Sequence, residues 1–127
     1  MRTLIRFICR PGEIGLFVAA HHAFDHGTMP ASLRDELAAL IQWFNTHLPE
    51  PKRLVHTKSK GFYRRDTVAI SWFKDDAKDF IAQAWRLVRV VERLGYEVEL
   101  IRTTRPGYVT HEDDFQVAAI PFADERD

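Results

Sequence analysis

Two stretches with the periodicity of amphipathic helices constrain the fold of this chain more than any other feature. In residues 75–94, apolar residues recur every three or four positions and predict a helix with one buried stripe. The stripe consists of Ala77, Phe80, Ile81, Ala84, Leu87, Val88, Val91 and Leu94. Asp75 or Asp76 is expected to cap the start of this helix, and Gly95 is expected to end it in a left-handed conformation.

A similar stripe occupies residues 32–48, and Pro49 closes that stretch. Its members are Leu33, Leu37, Leu40, Ile41, Phe44 and Leu48. Ser32 and Asp35 stand three residues apart, as in a capping box. The sequence therefore predicts a second helix that begins at Ser32.

The rest of the chain contains short stretches in which apolar and polar residues alternate, which is the period of a β-strand. The predicted strands are residues 3–10, 54–58, 67–73, 97–103 and 115–122. Residues 13–27 fit two descriptions: a short strand over residues 14–18, or a turn of helix over residues 19–26 that Gly27 stops. Since proline is tolerated only in an edge strand, Pro121 predicts that the last strand lies at an edge.

The predicted element order is strand, helix, strand, strand, helix, strand, strand. Its first six elements match the ferredoxin-like βαββαβ unit. We therefore expect an α+β fold in which two helices cover one face of an antiparallel sheet, with an additional C-terminal edge strand. The first strand is expected between residues 67–73 and 97–103, and the last strand beyond residues 97–103. In this arrangement Arg6 is expected to face Glu97 or Glu99 across the sheet.

Length and composition narrow the class of protein. A chain of 127 residues has the usual size of one domain, so we expect residues 1–127 to form a single domain. Lysine plus arginine and aspartate plus glutamate number 18 each, which argues against a dedicated duplex-DNA binder. Cys9 is the only cysteine, and arginines interrupt the apolar residues at the N-terminus. We therefore expect a cytoplasmic protein without a signal peptide, a membrane helix or a membrane partner.

Residues 51–65 concentrate positive charge in a chain whose formal net charge is zero. The segment contains six cations and no acid, together with His56 and the aromatic pair Phe62 and Tyr63. Its candidate ligand-binding residues are Lys52, Arg53, His56, Lys58, Lys60, Phe62, Tyr63, Arg64 and Arg65. Cations neutralise phosphates and aromatic rings stack on bases, so the segment suits single-stranded nucleic acid; its charge also suits an acidic protein surface. A hairpin that lysines keep soluble, with no ligand, would have the same composition.

The predicted strands 54–58 and 67–73 are expected to form a hairpin around the basic connection between them, which we call the basic hairpin. The main functional hypothesis is a small non-enzymatic binding module that engages an anionic partner through this basic hairpin. One alternative is an enzyme that acts on a phosphodiester or nucleotide, with His56 or a histidine of residues 21–26 as the acid–base residue and Tyr63 among the phosphate-binding groups. A second alternative is an accessory or regulatory subunit of a protein complex. Exposed sheet edges also make a homodimer a reasonable expectation.

Two clusters have the residue types of metal sites. If residues 19–26 are helical, His22 and His26 share a face at positions i and i+4, which is a geometry of metal ligands. Glu112, Asp113 and Asp114 carry oxygen ligands for Mg²⁺ or Mn²⁺, although their spacing is not that of an EF-hand. We favour surface or capping histidines, and an exposed acidic loop that is also able to pair with the basic hairpin. No metal, cofactor or catalytic residue is therefore predicted.

Overall fold

The computed structural model describes residues 2–48 and 69–122, together with the backbone of residues 58–59 and 62–63. The fold is α+β, and the described residues form three helices, an antiparallel sheet of six strands and a separate two-stranded hairpin. In chain order the elements are β1 (Leu4–Arg10), β2 (Ile14–Gly15), α1 (Leu16–His26), α2 (Ala31–His47), β3 (Lys58–Ser59), β4 (Phe62–Tyr63), β5 (Ile70–Lys74), α3 (Lys78–Arg93), β6 (Glu97–Thr103), β7 (Tyr108–Glu112) and β8 (Gln116–Ile120). No helix in this part of the chain is both long and apolar enough to span a bilayer.

The chain divides into two compact units. The sheet unit comprises Met1–Ile5, Glu50–Ala77 and Arg102–Asp127. The helical unit comprises Arg6–Pro49 and Lys78–Ile101, so β1 contributes residues to both units. The single domain expected for residues 1–127 stays a prediction.

The helical unit has a core to which all three helices contribute. The buried residues are Leu16, Ala19, Ala20 and Ala23 of α1, Leu33, Leu37, Leu40 and Phe44 of α2, and Phe80, Ala84, Leu87, Val88, Val90 and Val91 of α3. The ring of Phe44 lies 4.9 Å from the ring of Phe17 and 6.4 Å from that of Phe80, between centroids, so one side chain joins three helices. The ambiguous residues 13–27 contain both predicted alternatives, because the short strand β2 leads directly into α1.

The start of α2 differs from the predicted capping box. Pro30 is the N-cap residue, and no side chain caps the helix. The amides of Leu33 and Arg34 instead donate to the Pro30 carbonyl oxygen, at 3.1 Å and 3.0 Å. The prediction that Ser32 and Asp35 form a capping box is wrong, because Ser32 already lies inside the helix.

In the sheet unit, β5 lies between β1 and β8, and β7 lies on the far side of β8. Ile5 stands opposite Phe73, and Phe73 also stands opposite Gln116, so three strands share this row. β7 pairs with β8 through a register shift between Val109 and His111. All of these pairings are antiparallel.

This strand order differs from the ferredoxin-like order. The prediction puts the last strand beyond β6, whereas β8 pairs with β5. Nor is β8 an edge strand: its neighbours are β5 and β7, and residues 116–119 are buried. Pro121 does not oppose this position, because β8 ends at Ile120 and the proline follows it. β7, which the prediction leaves as a loop, supplies the second neighbour.

The predicted adjacency of the first strand and the strand after the last helix is present in the helical unit. β1 pairs with both β2 and β6. A guanidinium nitrogen of Arg10 lies 3.0 Å from a carboxylate oxygen of Glu99, and both side chains are substantially exposed. A cross-strand charge pair therefore forms, but with Arg10 in place of the predicted Arg6.

Candidate functional site

The basic segment lies largely outside the described residues. Lys52, Arg53, His56, Lys60, Arg64 and Arg65 all fall outside them, and Lys58, Phe62 and Tyr63 are described for the backbone alone. The backbone of β3 pairs antiparallel with that of β4, with Lys58 opposite Tyr63 and Ser59 opposite Phe62. Residues 58–63 therefore contain a hairpin. It differs from the predicted hairpin of residues 54–58 with 67–73, because residues 70–73 belong to β5, whose partners are β1 and β8. The ligand-binding role of the segment stays a prediction.

A cleft of about 580 Å³ lies in the helical unit, and we call it the histidine cleft. Three parts of the unit meet there: the turn between β1 and β2, the end of α1 and the turn between α3 and β6. The lining residues are Pro11, Gly12, Ile14, His22, Ala23, His26, Gly27, Thr28, Leu94, Gly95 and Tyr96. The described lining includes no aspartate, glutamate, lysine or arginine, so its polar side chains are those of His22, His26, Thr28 and Tyr96.

Two histidines of α1 lie side by side in this cleft. α1 extends from Leu16 to His26, so His22 and His26 share a helix face one turn apart. Their ring centroids are 4.9 Å apart and the ring planes are inclined by 51°. Both residues are exposed to solvent. The prediction that His22 and His26 share one face if residues 19–26 are helical is therefore confirmed.

Tyr96 reaches His22 because of the way in which α3 ends. Gly95 has φ of +102°, as the helix-ending role predicted for it requires. The amide of Gly95 donates to the carbonyl oxygen of Glu92 at 3.1 Å, and the amide of Tyr96 donates to that of Val91 at 3.1 Å, which is the Schellman pattern. The turn carries the Tyr96 hydroxyl to 3.3 Å from Nδ1 of His22.

This contact joins residues 74 positions apart in the chain. Tyr96 was not a predicted site residue, and the only signal near it in the sequence is the glycine that precedes it. The hydrogen bond fixes one nitrogen of the His22 ring against the protein. Nε2 of His22 is then the ring nitrogen available to a ligand.

The acidic cluster has a structural role at Asp113. Oδ1 of Asp113 accepts hydrogen bonds from the amides of Phe115 and Gln116, at 2.8 Å and 3.1 Å. Oδ2 lies 2.8 Å from Nε2 of His111 and accepts a bond from the Gln116 side-chain amide at 3.1 Å. Burial alone would raise the pKa of Asp113, but the bonds from His111 and from the backbone outweigh burial and hold this pKa below its usual value. Asp113 thus closes the turn between β7 and β8.

Glu112 takes part in an ion pair, and Cys9 lies in the core. Glu112 pairs with Lys74, with Nζ 2.8 Å from the carboxylate oxygen. Cys9 is fully buried, and burial raises the pKa of its thiol to about 11, against a smaller opposing effect of Arg6. A thiol in this state is a poor nucleophile at neutral pH. In the described ranges, no group of three or more histidine, cysteine, aspartate or glutamate residues is arranged to hold a metal ion.

A second depression, of about 490 Å³, lies between α2 and α3 in the helical unit. Its lining includes Trp43, Arg86 and Arg89. The ring of Trp43 stacks on His47, with centroids 4.5 Å apart and planes inclined by 22°, and meets Phe80 edge-on at 5.3 Å. Trp43 is therefore mainly a packing residue with a partly exposed ring, in agreement with its position beside the predicted stripe.

Comparisons of this chain with protein-family models, with curated proteins and with solved structures gave no match.

Proposed function

We propose that this protein is a small non-enzymatic binding module that engages single-stranded nucleic acid through the basic segment, residues 51–65. The observation that carries the proposal is the separation of charge: six cations and no acid in this segment, in a chain of zero formal net charge. Like charges repel one another, and an anionic partner relieves that repulsion, so such a concentration of cations favours an anionic partner.

The aromatic pair favours nucleic acid over an acidic protein surface. Phe62 and Tyr63 lie among the cations, and each aromatic ring that stacks on a base contributes about 1–3 kcal/mol. Charge alone would be enough for an acidic protein. The backbone pairing of β3 with β4 supports a hairpin arm at this position, which suits an extended single strand.

The enzymatic alternative names His56, which lies outside the described residues, or a histidine of residues 21–26 as the acid–base residue. Cleavage of RNA, DNA or a nucleotide that is lost in His56→Ala or His22→Ala would favour it over the binding module. An accessory or regulatory subunit of a protein complex is the second alternative. A cytoplasmic location is part of the proposal, and a homodimer is an expectation that sedimentation at several concentrations tests.

The test is fluorescence anisotropy with labelled single-stranded RNA and DNA across a range of salt concentrations. A variant with Lys58, Lys60, Arg64 and Arg65 all changed to glutamate is expected to lose binding. Each phosphate contact with a single strand contributes about −0.7 to the slope of log K against log salt. The four cations replaced in this variant should therefore contribute about −2.8 to the slope measured for the wild type. Replacing Phe62 and Tyr63 by alanine is expected to lower affinity by about 5- to 150-fold for each stacked ring.

A matched control carries the same change in net charge elsewhere. Lys78, Arg86, Arg89 and Arg93 are exposed on α3 and are likewise changed to glutamate. This control is expected to retain most of the binding, because the effect is local. Equal loss in both variants, or binding of the wild type to polyglutamate as tightly as to RNA, would refute nucleic-acid recognition by the basic segment.

A further inference from the structure

The histidine cleft has a geometry that the proposed nucleic-acid function does not use. We propose that His22 and His26 form a binding site for a divalent transition-metal ion of the nitrogen-preferring series Ni²⁺, Cu²⁺ and Zn²⁺. The site rests on observations in the helical unit and does not depend on the basic segment.

The distance between the two rings matches a shared metal. A metal about 2.0–2.1 Å from an imidazole nitrogen lies about 3.2 Å from the centre of that ring. Two rings that bind one metal at an angle between about 90° and 110° therefore have their centres about 4.5–5.2 Å apart. The observed distance between the centroids of His22 and His26 is 4.9 Å, which lies inside this range.

Tyr96 supplies the contact that a metal-binding histidine usually has on its other nitrogen. Histidine ligands are commonly oriented by a hydrogen bond from the ring N–H that does not face the metal. Here Nδ1 of His22 lies 3.3 Å from the Tyr96 hydroxyl oxygen. When Nδ1 carries the proton, its N–H donates a hydrogen bond to this hydroxyl oxygen, and the lone pair of Nε2 is free for the metal.

Electrostatics at the cleft favours a cation over an anion. The lining includes His26 and Gly27 at the end of α1, and Leu94 and Gly95 at the end of α3. The carboxyl end of each helix has partial negative charge. No lysine or arginine lines the described cleft to compensate for it. The same histidines would be poor hosts for a phosphate or carboxylate, which would face two helix ends of like sign.

Imidazole ligands determine which metals are expected. Two histidines leave the other coordination positions to water or to a small ligand, since the described residues contribute no third histidine, cysteine or carboxylate. The order of affinity should follow Mn²⁺ < Ni²⁺ < Cu²⁺ > Zn²⁺. Mg²⁺ should bind poorly, because it prefers oxygen ligands in an octahedral shell.

The test is calorimetric titration of the full chain, without a polyhistidine tag, with NiCl₂, ZnCl₂ and MgCl₂. One Ni²⁺ is expected per chain. His22→Gln and His26→Gln each remove one of the two proposed ligands. Loss of an outer hydrogen-bond partner alone lowers the metal affinity of a site by about 10- to 100-fold, so each of these variants is expected to lower it by about tenfold or more. Tyr96→Phe keeps the ring and removes the hydroxyl, and a fall of about tenfold is expected.

His21→Gln is the matched control. His21 is also exposed on α1 and is adjacent to His22, but it does not line the cleft. This variant is expected to bind Ni²⁺ as the wild type does and to show the same rise in thermal midpoint on saturation, whereas His22→Gln and His26→Gln lose the rise. Circular dichroism of each variant verifies that α1 is intact. Equal affinity of His22→Gln and His21→Gln, or the absence of Ni²⁺ binding by the wild type, would overturn the proposal.

Discussion

The substitution Gly107→Ala, in the turn before β7, tests the backbone packing of this turn by adding one methyl group. Gly107 has φ of +126°, a conformation that residues with a side chain rarely adopt. A Cβ atom at this position would overlap the carbonyl oxygen of Ile120 and lie 2.9 Å from the Cα of Pro121. Gly107→Ala therefore has two costs, a strained backbone and a clash with the backbone that follows β8.

Two other glycines separate these costs. Gly95 has φ of +102°, but nothing lies within 4 Å of an added Cβ, so Gly95→Ala tests backbone strain alone. Gly27 has φ of −78°, an ordinary value, but a Cβ there would lie 2.5 Å from the carbonyl oxygen of Ala23, so Gly27→Ala tests the clash alone. The three variants thus cover strain, clash and the combination of both.

Magnitudes follow from these geometries. A left-handed residue with a side chain costs about 1–2 kcal/mol. Alanine also lowers the conformational entropy of the unfolded chain, which stabilises the folded state by about 0.4–1 kcal/mol. Gly95→Ala should therefore lower the free energy of unfolding by about 1 kcal/mol. At Gly107 the backbone must also move away from Ile120, and we expect a loss of about 3–5 kcal/mol, which is a large part of the 5–15 kcal/mol typical of a domain.

The assay is urea unfolding, followed by tryptophan fluorescence and far-ultraviolet circular dichroism. With an m value of about 1–3 kcal/mol per molar urea, Gly107→Ala should lower the midpoint by at least about 1 M. Gly27→Ala is expected between the other two variants. A free energy of unfolding for Gly107→Ala within about 0.5 kcal/mol of that for Gly95→Ala would show that the turn is not packed against Ile120.

Three further predictions concern single groups. The lowered pKa of Asp113 means that its stabilisation is complete above the usual carboxyl pKa of about 4 and is lost as pH falls through the folded value, so the difference in unfolding free energy between wild type and Asp113→Asn should shrink between about pH 5 and pH 2. The buried thiol of Cys9, with a pKa of about 11, should not react with a thiol reagent at about pH 8 until urea unfolds the chain, and a fast reaction in the native protein would contradict its burial. A double-mutant cycle on Arg10 and Glu99 should give a small coupling energy that decreases in high salt, because both side chains are substantially exposed.

The helices were predictable because their signal is local. A stripe that repeats every three or four residues identifies α2 and α3 wherever the partner elements lie, and both stripes are largely buried. The exact start of α2 was not predictable from Ser32, because Pro30 already supplies the acceptor for the first free amides. Helix ends depend on such short-range competition between neighbouring residues.

The strand order was not predictable to the same extent, because pairing partners are chosen over long distances in the chain. Residues 116–120 alternate too little to distinguish a buried strand from an edge strand, and Pro121 favoured the edge. Their actual position follows from the hairpin with β7, which Asp113 closes with its carboxylate. The acidic run Glu112–Asp114 has the composition of an exposed loop, yet the carboxylate of Asp113 holds two strands together.

The same distinction between local and distant signals applies to the site. The spacing of His22 and His26 was enough to predict that a helix would bring the rings together, since both belong to one element. The contribution of Tyr96 depends on where the turn after α3 meets α1, which no local pattern encodes. For the basic segment the sequence remains the source of the hypothesis, and the pairing of β3 with β4 adds only its hairpin.

The two proposed sites differ in the charge that they attract, and this makes them separable in one preparation. Phosphate binding by Lys58 and its neighbours releases counterions, so about 0.5 M NaCl should abolish it. Coordination by His22 and His26 involves neutral nitrogen atoms and should persist at that salt concentration, while a chelator should remove the metal and leave nucleic-acid binding at low salt unchanged. If the chelator also abolished nucleic-acid binding, a metal would have to take part in that binding. The basic segment alone would then not explain nucleic-acid binding, whether or not His22 and His26 bind a metal.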